Sequence, residues 1–160
     1  MCYVTFMSIS TTQILPEPSA LLRVLPVEMA SDYISEAPWD EFAFENVYYI
    51  GSSSGCSCKF RYWSSGFYFA PAQDWASERP DDESLIATRI LAGWIRKVTE
   101  AGATAQIIVH WYGEAPLTET AVVDMAKIAD EEFYIMTDKI INIVSSQQGA
   151  QPDAFSAPDL

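Results

Sequence analysis

Residues 82–101, DESLIATRILAGWIRKVTEA, constrain the fold more than any other stretch of this chain. Ala87, Ile90, Leu91, Trp94, Val98 and Ala101 recur at helical spacing and make one continuous apolar stripe. Asp81, Asp82 and Glu83 follow Pro80 and put negative charge where a helix dipole favours it. Arg96 and Lys97 sit near the far end, and Gly102 suits the left-handed position just beyond. A helix with such a stripe has to bury it, and the runs around it are β-like. The pattern predicts a helix lying across a sheet.

Four runs supply the expected strands. Residues 2–10 and 58–63 alternate in polarity, 47–50 is Val-Tyr-Tyr-Ile, and 105–111 is almost wholly apolar, as an internal strand would be. Prolines 16, 18, 26 and 38 break up 11–46, where residues 19–25 and 28–34 suit short helices. Ala121, Val122, Met125 and Ile128 suggest a further helix over 118–129. Two short strands turning at Thr137-Asp138 then span 133–144. The expectation is an α+β fold, a mainly antiparallel sheet with helices on one face. Its element order parallels the ferredoxin-like β-α-β-β-α-β layout, with a C-terminal helix and hairpin added. A single domain over 1–145 would be followed by a polar, proline-containing tail over 146–160.

The charge excludes several functions. Nine Lys and Arg face 22 Asp and Glu, a formal net charge of −13. Such a field repels nucleic acid phosphates and anionic membranes and attracts basic partners. It is also uneven. Between Arg23 and Lys59 there is no basic residue, while Glu28, Asp32, Glu36, Asp40, Glu41 and Glu45 all occur. Tyr33, Trp39, Phe42 and Phe44 are interleaved with them. Such a stretch reads either as a solvated face with core aromatics or as a docking surface for a basic protein. No run approaches the length of a membrane span, and the first residues carry no leader-like pattern, so the expected location is cytoplasmic.

The cysteines form the other candidate site. Gly51 to Cys58 reads Gly-Ser-Ser-Ser-Gly-Cys-Ser-Cys, and the chain's remaining cysteine is Cys2. An odd count implies no disulfide framework. In the split β-α-β arrangement the start of the first strand, the start of the third and the end of the fourth share one rim. Cys2, Cys56, Cys58 and the lone His110 would then meet, three thiols and an imidazole suited to tetrahedral zinc. The Cys-x-Cys gap is tighter than zinc sites usually use. Buried cysteines and a hydrogen-bonded histidine are the simpler reading. A strained, exchangeable Cys56–Cys58 disulfide is a third. The glycines lack the spacing and the following helix of a phosphate loop, so 51–55 is expected to be a plain turn.

With one histidine and no nucleophile elbow, no residue is assigned a catalytic role. Three functional classes remain. The first is a cytoplasmic, bacterial-type binding protein, such as an inhibitor or immunity-type protein that covers a basic partner. The second is a thiol or metal protein, which could be an enzyme. The third is a structural module that oligomerises through strand edges.

Overall fold

A computed structural model of the chain describes residues 4–10, 15–29, 39–52, 55–63, 82–110 and 117–145. The elements are β1 (Val4–Ile9), β2 (Leu22–Pro26), β3 (Asn46–Ser52), β4 (Tyr62–Trp63), α1 (Asp82–Glu100), β5 (Ala105–His110), β6 (Thr120–Asp124), β7 (Ile135–Met136) and β8 (Ile140–Val144). Short 3-10 turns occupy Val27–Met29, Trp39–Glu41 and Ser57–Lys59. The fold is α+β. A mixed sheet of six strands runs in the order β2-β3-β1-β5-β8-β6, and β4 and β7 form a separate two-stranded pair. Every pairing in the larger sheet is antiparallel except β6 with β8.

Helix α1 starts and stops as its sequence implies. Asp82 and Glu83 lie in its first turn and Lys97 in its last. At the C-terminus Gly102 adopts φ 93°, its N–H donates to Thr99 O, and Ala103 N–H donates to Val98 O. Together these bonds make a Schellman cap, which satisfies carbonyls the helix itself leaves open. The buried face is rotated slightly from the stripe read in the sequence. Ile95 is fully buried, whereas Ala101 is exposed and Ile90 only half-buried.

The helix covers the face formed by Met7, Ile9, Ile50, Ile107, Val109, Ile141 and Ile143. Burying side chains of this size contributes roughly 1.5–3 kcal/mol each, so this layer is the main core. The opposite face holds a second, smaller cluster of Val4, Phe6, Val27, Val47 and Tyr49, with Leu25 and Phe42 packed against it. Every residue of β1 is buried, as expected of a strand flanked on both sides and covered on both faces.

Several expectations need correction. Residues 22–26 form an edge strand where a short helix was expected. Of 28–34, only 28 and 29 lie among the described residues, and they belong to a 3-10 turn. Residues 120–124 are a strand, not a helix, because β8 offers them a parallel partner from Thr120↔Ile140 to Asp124↔Val144. Residues 133–144 do not pair as a hairpin: β7 joins β4, and β8 joins the main sheet. The ferredoxin-like neighbour of β1 was to be 58–63, but both edges of β1 are filled by β3 and β5. That segment instead makes a 3-10 turn and the two-residue β4, and Arg61 N–H donates to Thr88 Oγ1 of the helix. Among the described residues α1 is the one α-helix. The proposed tail over 146–160 lies outside them.

Candidate functional site

The described members of the two groups of residues singled out above lie toward opposite ends of the sheet. The β1–β3 register runs from Thr5↔Ile50 to Ile9↔Asn46, and the β1–β5 register from Val4↔His110 to Ile9↔Ala105. One end therefore joins the start of β1, the end of β3 and the end of β5. At the other end lie the finish of β1 and the starts of β3 and β5.

The first end is held by hydroxyl groups. Ser52 and Gly55 close a turn in which Gly55 N–H donates to Ser52 O, and Gly55 takes φ 82°. A left-handed residue suits glycine there. Gly51 is required for a different reason, since a Cβ on it would stand 2.9 Å from Gly55 O. Ser57 is buried, and its Oγ accepts from Thr5 N–H at 3.1 Å while donating to Ile50 O at 2.6 Å. Thr5 and Ile50 face each other in the ladder, so one hydroxyl bridges β1 to β3. Tyr62 OH donates to Ser57 O at 2.6 Å and lies 2.8 Å from Thr5 Oγ1, and Tyr49 OH donates to Gly55 O at 2.6 Å. The described ends of the Gly/Ser segment, Ser52 and Gly55, close on each other and are fastened on several sides, and a 3-10 turn rather than a strand follows.

Cys56 lies half-buried between that turn and Ser57. His110, also half-buried, ends β5 opposite Val4. Cys58 lies within the Ser57–Lys59 turn, and Cys2 lies outside the described residues. The topology that was to unite these groups is not the one present, yet the β1–β3–β5 register still brings the 55–57 turn, Val4 and His110 to one rim. Among the described residues no group of three or more His, Cys, Asp or Glu is arranged to hold a metal ion.

The opposite end carries carboxylates. Glu28 is exposed on the 3-10 turn after β2, whose Pro26 pairs with Tyr48 near the start of β3. Asp40 is exposed and Glu41 half-buried in the Trp39–Glu41 turn, and Glu45 is exposed just before β3. Asp32 and Glu36 lie outside the described residues. None of the ion pairs among the described residues involves Glu28, Asp40, Glu41 or Glu45.

This acidic segment is anchored from beneath. Phe42 meets Phe6 edge-on with ring centroids 5.6 Å apart, Ala43 N–H donates to Gln106 Oε1 at 3.0 Å, and Asn46 Nδ2 donates to Ile9 O. Of the interleaved aromatics, Phe42 thus serves the protein's own core, and Phe44 is half-buried. Tyr33 and the side chain of Trp39 lie outside the described part of the structure. The anchors Gln106 and Asn46 gave no signal in the sequence, because single amides in strands are unremarkable until the register aligns them.

Two shallow grooves flank β2. One, of about 320 Å3, is lined by Leu21, Ser52, Glu83, Ile86, Ala87 and Ile90 and is almost wholly apolar. The other lies over Pro18, Ala20 and Leu22 to Leu25. Neither converges polar groups as a small-molecule site would. Among the described residues no helix is long and apolar enough to cross a membrane. No protein-family model matches the chain, and neither curated proteins nor solved structures yield a match.

Proposed function

We propose that the chain is a binding protein that docks a basic protein partner at the acidic end of its sheet, in the manner of an inhibitor or immunity-type protein. The supporting observation is that Glu28 arrives from β2 and Asp40, Glu41 and Glu45 from the approach to β3, all at one end of the sheet. Asp32 and Glu36 fall between them in sequence, with no basic residue from Arg23 to Lys59. A surface of one sign, set on a segment anchored by Phe42 and Gln106, provides steering and a fixed orientation. Charge reversal at Glu28, Asp40 and Glu45 together is expected to slow association with the basic partner roughly tenfold or more at low salt. The slowing is expected to fade as salt rises. Reversal of Glu131 and Glu132, elsewhere on the surface, serves as the control. Equal effects from both sets would reject the assignment of the site.

A second reading rests on the other end, where Cys56 and His110 border one rim. In it Cys56, Cys58, Cys2 and His110 provide a thiol or zinc site, which could support catalysis. Thiol titration with elemental analysis of the purified protein tests it, and unreactive thiols without stoichiometric zinc would remove it.

A further inference from the structure

The two edge strands of the sheet are built differently. Strand β2 carries Arg23 within it and ends at Pro26, both features that discourage another strand from pairing there. Strand β6, Thr-Ala-Val-Val-Asp, contains neither a basic residue nor a proline. Among the described residues it has a neighbour on one side only, β8. Val122 at its centre is 71% exposed, the most exposed large apolar side chain among the described residues.

The charge around β6 is balanced in a chain that is strongly acidic overall. Glu119 pairs with Lys139 at 3.2 Å at one end of the strand, and Asp124 with Lys127 at 3.1 Å at the other. The strand is also self-complementary. Antiparallel pairing of two copies about Val122 would set Val122 against Val122. It would also set each Thr120 against Asp124 of the second copy, a hydroxyl facing a carboxylate on the same sheet face. Lysines at both ends keep the approaching carboxylates from meeting bare.

We infer that β6 is a homodimerisation edge, two copies pairing antiparallel about Val122 to continue the sheet across a two-fold axis. A five-residue strand buries less than the about 1,600 Å2 of a standard interface, so the dimer is weak and reversible. The net charge of −13 on each copy opposes association at long range. Salt screens that repulsion more than the short-range contacts, so dimerisation strengthens with salt. Docking of a basic partner at the acidic end has the opposite salt dependence, so failure of either idea leaves the other standing.

Sedimentation equilibrium of the full chain over a range of concentrations, at low and at high salt, is the test. Val122→Lys and Thr120→Lys add the same single positive charge two residues apart on one exposed face. The first sets two lysines against each other and is expected to weaken the dimer roughly tenfold. The second sets a lysine against Asp124 of the second copy and is expected to tighten it a few-fold. Thermal unfolding of both variants shows that the fold persists. A strictly monomeric chain at high salt, or a dimer that both variants shift in the same direction, would overturn the inference.

Discussion

The two ends of the sheet are made from neighbouring pieces of the same three strands, yet they are built on opposite principles. At the end that joins the starts of β1 and the finishes of β3 and β5, polar groups face inward and are bonded. Ser57 Oγ bridges Thr5 N–H and Ile50 O, while Tyr62 and Tyr49 fasten the turn. At the other end, Glu28, Asp40 and Glu45 face water. The bonded end spends its polar groups on holding the fold. The acidic end leaves them in solvent. A conspicuous motif can thus serve the fold: in the described part of the Gly/Ser/Cys stretch, Ser52, Gly55 and Ser57 are bonded to the turn and the strands around it.

This contrast can be broken or sharpened by substitution. Ser57→Ala should have the largest effect, because it strips a donor from Ile50 O and an acceptor from Thr5 N–H in a buried place. Each unsatisfied group costs about 1–3 kcal/mol, and urea unfolding should register a loss of that order or greater. No measurable loss would mean that water or a shifted strand replaces the hydroxyl. Gly51→Ala comes next. Its Cβ would press on the Gly55 backbone and on the Tyr49 ring, which is itself tied to Gly55 O. A loss of about 1–3 kcal/mol is expected, read as a lower midpoint with an unchanged denaturant slope.

A substitution between the two ends should act in the other direction. Ser8 is fully buried on β1 between Val47 and Gln106, and among the described residues its Oγ finds no hydrogen-bond partner. Removing an unsatisfied hydroxyl relieves a desolvation cost, so Ser8→Ala should be neutral or stabilising by up to about 1 kcal/mol. Destabilisation would reveal a bond to an ordered water. Smallest of all, Asp40→Asn and Glu45→Gln should alter stability by no more than about 0.5 kcal/mol, since exposed sites without partners rarely matter to the fold. A clear loss at either position would give the acidic end a structural role and erase the contrast.

The parts of the fold that could be read from the sequence are those whose information is local. Helix α1 was legible at both ends, because first-turn acids and the Gly102 cap act within a few residues. Strands β1, β3 and β5 were legible from alternation or sustained apolarity. Strand β6 was not. Ala121, Val122, Met125 and Ile128 match helical spacing as well as 120–124 match a strand, and only pairing with β8 decides between them. Strand β2 was missed for the same reason: residues 19–25 suit a short helix, and only pairing with β3 decides otherwise. The 58–63 segment shows the converse failure, an alternating run denied its sheet position because β1 already had two neighbours.

Of the candidate sites, the acidic stretch was visible as composition, but its gathering with Glu28 at one end depended on the β2–β3 register. The bridge through Ser57 could not be anticipated. Its partners lie 52 and 7 residues away, and nothing in a serine's neighbours says that it will span two strands. What the chain determined by itself was the helix, the identity of its central strands and the sign of its field, since periodicity, caps and charge are carried by residues close together. Strand order and the inner side of each polar group were decided by the folded sheet. Each of those depends on contacts between residues far apart in sequence, where many pairings are compatible with the same local pattern.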